Sequence, residues 1–265
     1  MALRILSALV LAPVAIAAAW FGWPWLPIMT ALAAAGLGWE WARLCQAGRL
    51  GASGVVLIAA VLTAVGVAAA GQTLPAMILA LIGAVVVFVV ALRERGSDTR
   101  WLALGALWVA LPCVLLLWLA REESGGGRVT LLWIFAIVWA TDIGAYAVGR
   151  QFGGPLLAPN WSPRKTWSGL IGGAGCAALA GWGTARALDV SAVLPLVLVS
   201  AGLAIVEQFG DLAESVAKRR FGVKDSSGLI PGHGGLFDRL DGLLAVIPTV
   251  AFLTLINGGN VLTWR

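Results

Sequence analysis

Apolar segments of about twenty residues recur along almost the whole chain, and they leave few folds open to it. A helix needs roughly 20 apolar residues to cross the hydrocarbon core of a bilayer. Nine candidate crossings can be read, at 5–22, 26–44, 55–70, 74–92, 101–120, 129–149, 168–187, 192–217 and 243–259. The third is short and is expected to borrow residues from its flanks. Hydrophobic residues make up 60% of the sequence and charged ones only 12%, with a mean hydropathy of +0.92. An ordinary soluble domain carries about 25% charged residues, so that class is excluded. Backbone N–H and C=O groups in lipid must be satisfied within a segment or a closed barrel. These runs do not alternate as barrel strands do. The expected fold is all-α, a polytopic membrane bundle of about nine helices.

Charge placement tests that count. Successive crossings put the N-terminus and every second loop on one side of the membrane, and an odd number of them puts the C-terminus on the other. That side carries Arg4, Arg43, Arg49, Arg93, Arg95, Arg100, Arg150, Arg164, Lys165, Lys218, Arg219, Arg220, Lys224 and Arg239, fourteen of the 18 Lys and Arg. Only Arg121, Arg128, Arg186 and Arg265 fall on the other. The positive-inside rule then predicts a cytoplasmic N-terminus, an external C-terminus and both large polar loops in the cytoplasm of a bacterial-type inner membrane. The net charge of +5 follows largely from this bias and gives no ground for a nucleic-acid partner. Two regions are expected: residues 1–128, with about five crossings, and residues 129–265, with cytoplasmic loops at 150–167 and 218–242.

Simpler assignments account for several features. Arg4 before an apolar run ending in AIAAA resembles a cleavable leader. Trp20, Trp23 and Trp25 instead suggest the interfacial belt of a retained helix. Cys45, Cys113 and Cys176 are odd in number and widely separated, as suits packing residues. Gly36, Gly38, Gly172, Gly173 and Gly175 lie in apolar runs, where glycine usually serves close helix contact.

Acids inside the apolar runs have a stronger claim to function, because an ionisable group at depth is costly and usually lines a cavity or meets a partner. Glu207, Asp211 and Glu214 are spaced i, i+4, i+7 and share one helix face. Asp142 and Tyr146 make a second i, i+4 pair. Glu40, flanked by Trp39, Trp41 and Arg43 near a helix end, reads as a structural group.

The segment Ser215–Asp241, SVAKRRFGVKDSSGLIPGHGGLFDRLD, concentrates five basic residues, three aspartates, five glycines and the only histidine between two apolar runs. Asp238 and Asp241 are i, i+3 at the start of the last helix and can face Asp211 across the loop. Carboxylates from two helices suit a hard divalent cation, with phosphate oxygens completing the octahedron. Glycines allow backbone N–H groups to approach an anion, and Lys218, Arg219 and Lys224 supply positive charge. In the other loop, SPRKT at Ser162–Thr166 reads as a turn offering two cations, Arg164 and Lys165, and two hydroxyls to phosphate.

Ser215–Asp241 resembles the C-terminal signature of the phosphatidate cytidylyltransferases, also called CDP-diglyceride synthases. That pattern runs S-x-apolar-K-R, four residues, K-D, then H-G-G-x-x-D-R-x-D. Ala217 is smaller than the usual apolar residue. The likeness continues through GDLAES and TDIGAYAVGRQFG…LAPNWSPRKTWSG, and departs where Ser168 replaces a frequent Glu. The resemblance implies that CTP and phosphatidic acid condense to CDP-diacylglycerol and pyrophosphate at a lipid bilayer. It also implies Mg²⁺ or Mn²⁺, with room for a monovalent cation, and is compatible with a homo-oligomer. Asp211 and Asp238 would then ligate metal, with Asp241 and Asp142 as further ligands or outer partners. Lys218, Arg219, Lys224, Arg164 and Lys165 would bind phosphate, assisted by Ser162, Thr166 and Tyr146. His233 would position a phosphate or leaving group, and Glu207 and Glu214 would orient metal-bound water or cations. Two other functions fit parts of the pattern. A CTP-dependent transferase for another lipid phosphate shares the head-group chemistry. A cation-coupled transporter shares the buried acids, although these cluster at one surface rather than the midplane.

Overall fold

Long apolar runs in lipid can satisfy their backbones only by coiling, and the computed structural model is accordingly helical. It describes residues 2–94, 96–121, 126–230, 232 and 234–263. Nine α-helices occur among the described residues: α1 (Ala2–Phe21), α2 (Trp25–Cys45), α3 (Ala52–Ala69), α4 (Thr73–Ala91), α5 (Thr99–Ala120), α6 (Gly126–Phe152), α7 (Trp167–Ala187), α8 (Val193–Arg220) and α9 (Phe237–Ile256). Six of these, α3, α4, α5, α6, α8 and α9, are long and apolar enough to cross a membrane. Glycine, tryptophan and charged residues dilute α2 and α7, and α1 runs apolar from Leu9 to Phe21. Between 33% and 56% of the residues in the best window of each of the six helices are buried. Side chains such as Leu81, Val85 and Ile171 point outward. In water so much contiguous apolar surface would drive association, whereas lipid accommodates it. The chain is thus an all-α membrane bundle.

Helix ends differ from the expected crossings by a few residues, and two of these differences bound the basic loop. α8 continues through Lys218, Arg219 and Arg220, whose charges complement the partial negative charge of a helix C-terminus. α9 begins at Phe237, six residues before the apolar run, with Asp238 in its first turn complementing the N-terminus. The intervening loop is therefore 221–236.

The chain divides into two compact units, Met1–Arg121 with Ala217–Leu240, and Glu122–Val216 with Asp241–Arg265. In the first, α3 packs on α2, α4 and α5, and Trp41 of α2 is fully buried against α5 and Phe237. Its indole N–H donates to the Trp101 carbonyl at 2.7 Å, and its ring lies 5.2 Å from both Trp108 and Phe237. Gly105 makes this possible, since a Cβ there would fall 1.8 Å from the indole nitrogen. Glu94 ties the α4–α5 connection to the start of α3. It accepts from the Ser53 amide at 2.9 Å, the Ser53 hydroxyl at 2.5 Å and Gln46 at 2.8 Å. Partial burial acts to raise its pKa, yet these hydrogen bonds more than offset that and hold the carboxyl below its ordinary 4.5.

In the second unit α6 and α7 pack along small residues. A Cβ at Gly172 would meet Val148 at 2.4 Å, and one at Gly173 would meet the Thr141 carbonyl at 3.0 Å. Gly36 and Gly38 serve similar contacts in the first unit, against Leu236 and Leu57, whereas Gly175 has open space around it. The three cysteines are free.

Candidate functional site

Three carboxylates converge in the second unit. Asp211 and Glu214 on α8 and Asp241 on α9 each offer an oxygen within 4.8 Å of the others. Their approach depends on glycine. A Cβ on Gly210 would lie 2.8 Å from the Asp241 carbonyl oxygen and from Ala245, and one on Gly242 would lie 2.7 Å from Glu207 Cγ. Any larger residue at either position would separate the helix segments that carry the acids. Asp142 on α6 lies within electrostatic reach of Glu207 and Asp241. Glu207 is 2% exposed and accepts from Gln208 at 2.8 Å. Lys165 Nζ sits 2.5 Å from Asp211 Oδ2, and Ser215 Oγ lies 3.5 Å from Asp211 Oδ1. Carboxylates held this close repel one another, and the repulsion rises in a medium less polar than water. An all-oxygen donor set of this kind fits a hard divalent cation.

Lys165 reaches Asp211 because SPRKT is a strand and not the expected turn. β1 (Leu156–Ala158) and β2 (Ser162–Thr166) form an antiparallel hairpin, with Leu156 opposite Thr166 and Ala158 opposite Ser162. Side chains alternate along a strand. Arg164 therefore faces solvent while Lys165 turns toward the acid cluster. Thr166 ends the strand by capping α7, accepting from the Gly169 amide at 3.1 Å. Ser168 donates to the Gly153 carbonyl and contacts Thr166 at 3.0 Å, so it ties its loop together. Tyr146 is exposed, and Arg150 donates to its hydroxyl at 2.6 Å.

The remaining expected residues lie in the first unit. Lys218 Nζ contacts Asp238 Oδ1 at 2.6 Å, with the two side chains 13% and 7% exposed. The other Asp238 oxygen accepts from the Ser226 amide at 3.0 Å, the Ser226 hydroxyl at 3.0 Å and the Gly235 amide at 2.8 Å. Arg219 is exposed and donates to the Val223 carbonyl at 3.2 Å, and Lys224 is exposed. His233 lies outside the described residues. The structure thus brings together Asp211, Asp241 and Lys165, with Glu214, and separately Lys218 with Asp238.

One residue that the sequence reading set aside is central to the loop. Glu40 is fully buried and accepts from the Leu236 and Phe237 amides, both at 2.7 Å. It also accepts from Ser227 Oγ at 2.5 Å, and Ser226 Oγ, 3.1 Å away, divides its one proton between Glu40 and Asp238. The one available signal was an acid in an apolar segment, and Arg43 one turn away looked like a ready local partner, although Arg43 instead donates to the Gly48 carbonyl. The partners of Glu40, 186 to 197 residues distant, left no local trace.

An all-α polytopic bundle that carries an acid cluster with a lysine set against it, and a basic, glycine-rich loop, defines a class of multi-helix membrane proteins with charged groups held beside apolar segments. Comparison with known proteins narrows that class. Residues 2–256 match the model of the cytidylyltransferase family, and the chain belongs to that family. It is 47% identical over 149 residues to the phosphatidate cytidylyltransferase of Brucella suis biovar 1 (strain 1330), covering 56% of this chain and 55% of the relative. Identity to the protein of the same name from Haemophilus influenzae is 41% over 131 residues, covering 48% and 46%. To that of Rickettsia felis it is 36% over 167 residues, covering 60% and 73%. The chain spans about half the length of the Brucella and Haemophilus relatives that it matches.

Proposed function

We propose that this protein transfers a cytidylyl group from CTP to phosphatidic acid, releasing pyrophosphate and leaving CDP-diacylglycerol in the membrane. The observation that carries the proposal is the Asp211–Glu214–Asp241 cluster with Lys165 against it, in a chain whose relatives bear the name phosphatidate cytidylyltransferase. A phosphate oxygen of the lipid forms a bond to the α-phosphorus of CTP, and the bond from that phosphorus to the oxygen bridging to the β-phosphate breaks. A phosphate monoester is already nucleophilic near neutral pH, so the task is to neutralise and align two anions. Asp211, Glu214 and Asp241 would hold Mg²⁺ or Mn²⁺, which supplies charge neutralisation at the phosphates. Lys165 would add a cation on the same side, and Asp142 and Glu207 would orient groups around it. Arg164, Lys218, Arg219 and Lys224 are assigned to substrate phosphates through the motifs that contain them, with His233, Ser162, Thr166 and Tyr146 in supporting roles.

Purified protein given labelled CTP and a panel of lipid phosphates is expected to form CDP-diacylglycerol and pyrophosphate, lose turnover with a chelator and regain it with Mg²⁺ or Mn²⁺. Transfer to no lipid phosphate would overturn the proposal. Preference for a different lipid phosphate would redirect it to that substrate.

The proposal places 150–167 and 218–242 in the cytoplasm, supported by the fourteen-to-four bias of basic residues. In a background without Cys45, Cys113 and Cys176, single cysteines in these loops should resist a membrane-impermeant label applied to intact cells. Labelling of 218–242 from outside would reverse the topology, and CTP would then be on the wrong side.

A further inference from the structure

We infer that Glu40 is a positioning residue for the reaction, an internal anion around which the loop 221–236 is folded; this rests on the function proposed above. Each of its oxygens serves one backbone N–H and one serine hydroxyl. Oε1 takes Leu236 N at 2.7 Å and Ser227 Oγ at 2.5 Å, and Oε2 takes Phe237 N at 2.7 Å and Ser226 Oγ at 3.1 Å. The two amides open α9, where the first N–H groups have no partner inside the helix. A carboxylate there also meets the favourable end of the helix dipole.

The surrounding residues are shaped to this arrangement. A Cβ on Gly235 would lie 1.9 Å from Ser226 Oγ and 2.7 Å from Glu40 Oε1, so a larger residue there would push these hydrogen-bonding groups aside. One turn before Glu40, a Cβ on Gly36 would fall 2.9 Å from Leu236 Cδ2. Beside it, the Trp41 ring lies 5.2 Å from Phe237. At the end of the glycine-rich segment, the amides of Gly235, Leu236 and Phe237 are therefore held by Asp238 and Glu40.

Ser226 links this anion to Lys218. Its amide donates to Asp238 Oδ2, its one hydroxyl proton is shared between Glu40 Oε2 at 3.1 Å and Asp238 Oδ2 at 3.0 Å, and the opposite oxygen of Asp238 holds Lys218 at 2.6 Å. Glu40, Ser226, Asp238 and Lys218 form one chain, at whose far end stands a cation assigned to substrate. Glutamine at position 40 would keep the shape but aim an NH₂ group at one of the two amide donors. The carboxylate is required because both oxygens must accept.

The test combines loop exposure with kinetics. Ile230 is buried in the loop, so a cysteine there reports opening, read as its rate of maleimide labelling in a background without the native cysteines. With Glu40 present, Ile230→Cys should label slowly, and Glu40→Gln should speed labelling about tenfold and lower CTP-dependent turnover by about 10²-fold, the scale of a small misplacement of reacting groups. Should Glu40→Gln fail to insert, Ser227→Ala removes one donor and should shift both readouts several-fold in the same directions. In a Lys218→Ala background Glu40→Gln should cost little further turnover, because both act through one chain, whereas general destabilisation would add. Unchanged labelling, normal turnover despite faster labelling, or additive losses would each overturn the inference. Faster labelling in a protein whose unsubstituted form transfers no cytidylyl group would instead overturn the proposed function and leave Glu40 as an organiser of the loop.

Discussion

Replacing Asp211 by asparagine is expected to lower CTP-dependent turnover by about 10²-fold or more, while the protein still inserts and its helices remain formed. Asp211 sits in the cluster with Glu214 and Asp241 and also holds Lys165 at 2.5 Å. Those contacts suggest two roles, and they separate experimentally. An amide keeps the shape and one acceptor oxygen but loses the anion that a hard cation requires. If the carboxylate binds metal, Asp211→Asn and Asp241→Asn should both raise the Mg²⁺ concentration needed for half-maximal activity. The double variant should be little worse than either alone, since ligands of one ion act as a unit. If Asp211 only anchors Lys165, then Lys165→Met should do equal damage and no variant should alter the Mg²⁺ dependence. That pattern would remove the metal from this cluster.

The helices were legible because segment length is set by bilayer thickness and apolar content is unbroken, signals that need no knowledge of partners. All nine expected crossings have a matching helix, and the errors fall at polar ends, where the apolar run stops before the helix does. Local spacing also put Asp211 and Glu214 on one face of α8. Proline and serine in SPRKT made a strand look like a turn, because pairing with Leu156–Ala158 is a property of the partner strand and not of the pentapeptide. The same limit hid Glu40, whose meaning depends on amides 196 and 197 residues away. Asp238 is the subtler case. The sequence shows an acid opening a helix beside a glycine-rich turn, which fits a metal ligand and a loop clamp equally well. Its two oxygens are engaged by Lys218, Ser226 and Gly235, contacts that depend on how the loop closes.

The Lys218–Asp238 pair gives the second large effect. The side chains are 13% and 7% exposed, and their atoms approach to 2.6 Å, so solvent screens them weakly. Removing one member of such a pair strands the other charge, at a cost of roughly 3 kcal/mol. Lys218→Met should therefore lower the thermal midpoint of the purified protein and reduce turnover more than tenfold. These two losses have different origins if Lys218 also meets substrate phosphate. Adding Asp238→Asn removes the stranded carboxylate while leaving an amide oxygen to accept from Ser226 or Gly235, and most of the lost stability should return. Turnover should not return, since the cation is still missing from the chain that Glu40, Ser226 and Asp238 hold in place. Thermal denaturation and CTP-dependent turnover, measured on the same preparations, distinguish the alternatives. Recovery of both in the double variant would make Lys218 a structural counter-ion only. Its assignment to phosphate would then pass to Arg219 and Lys224, which are exposed on the same segment.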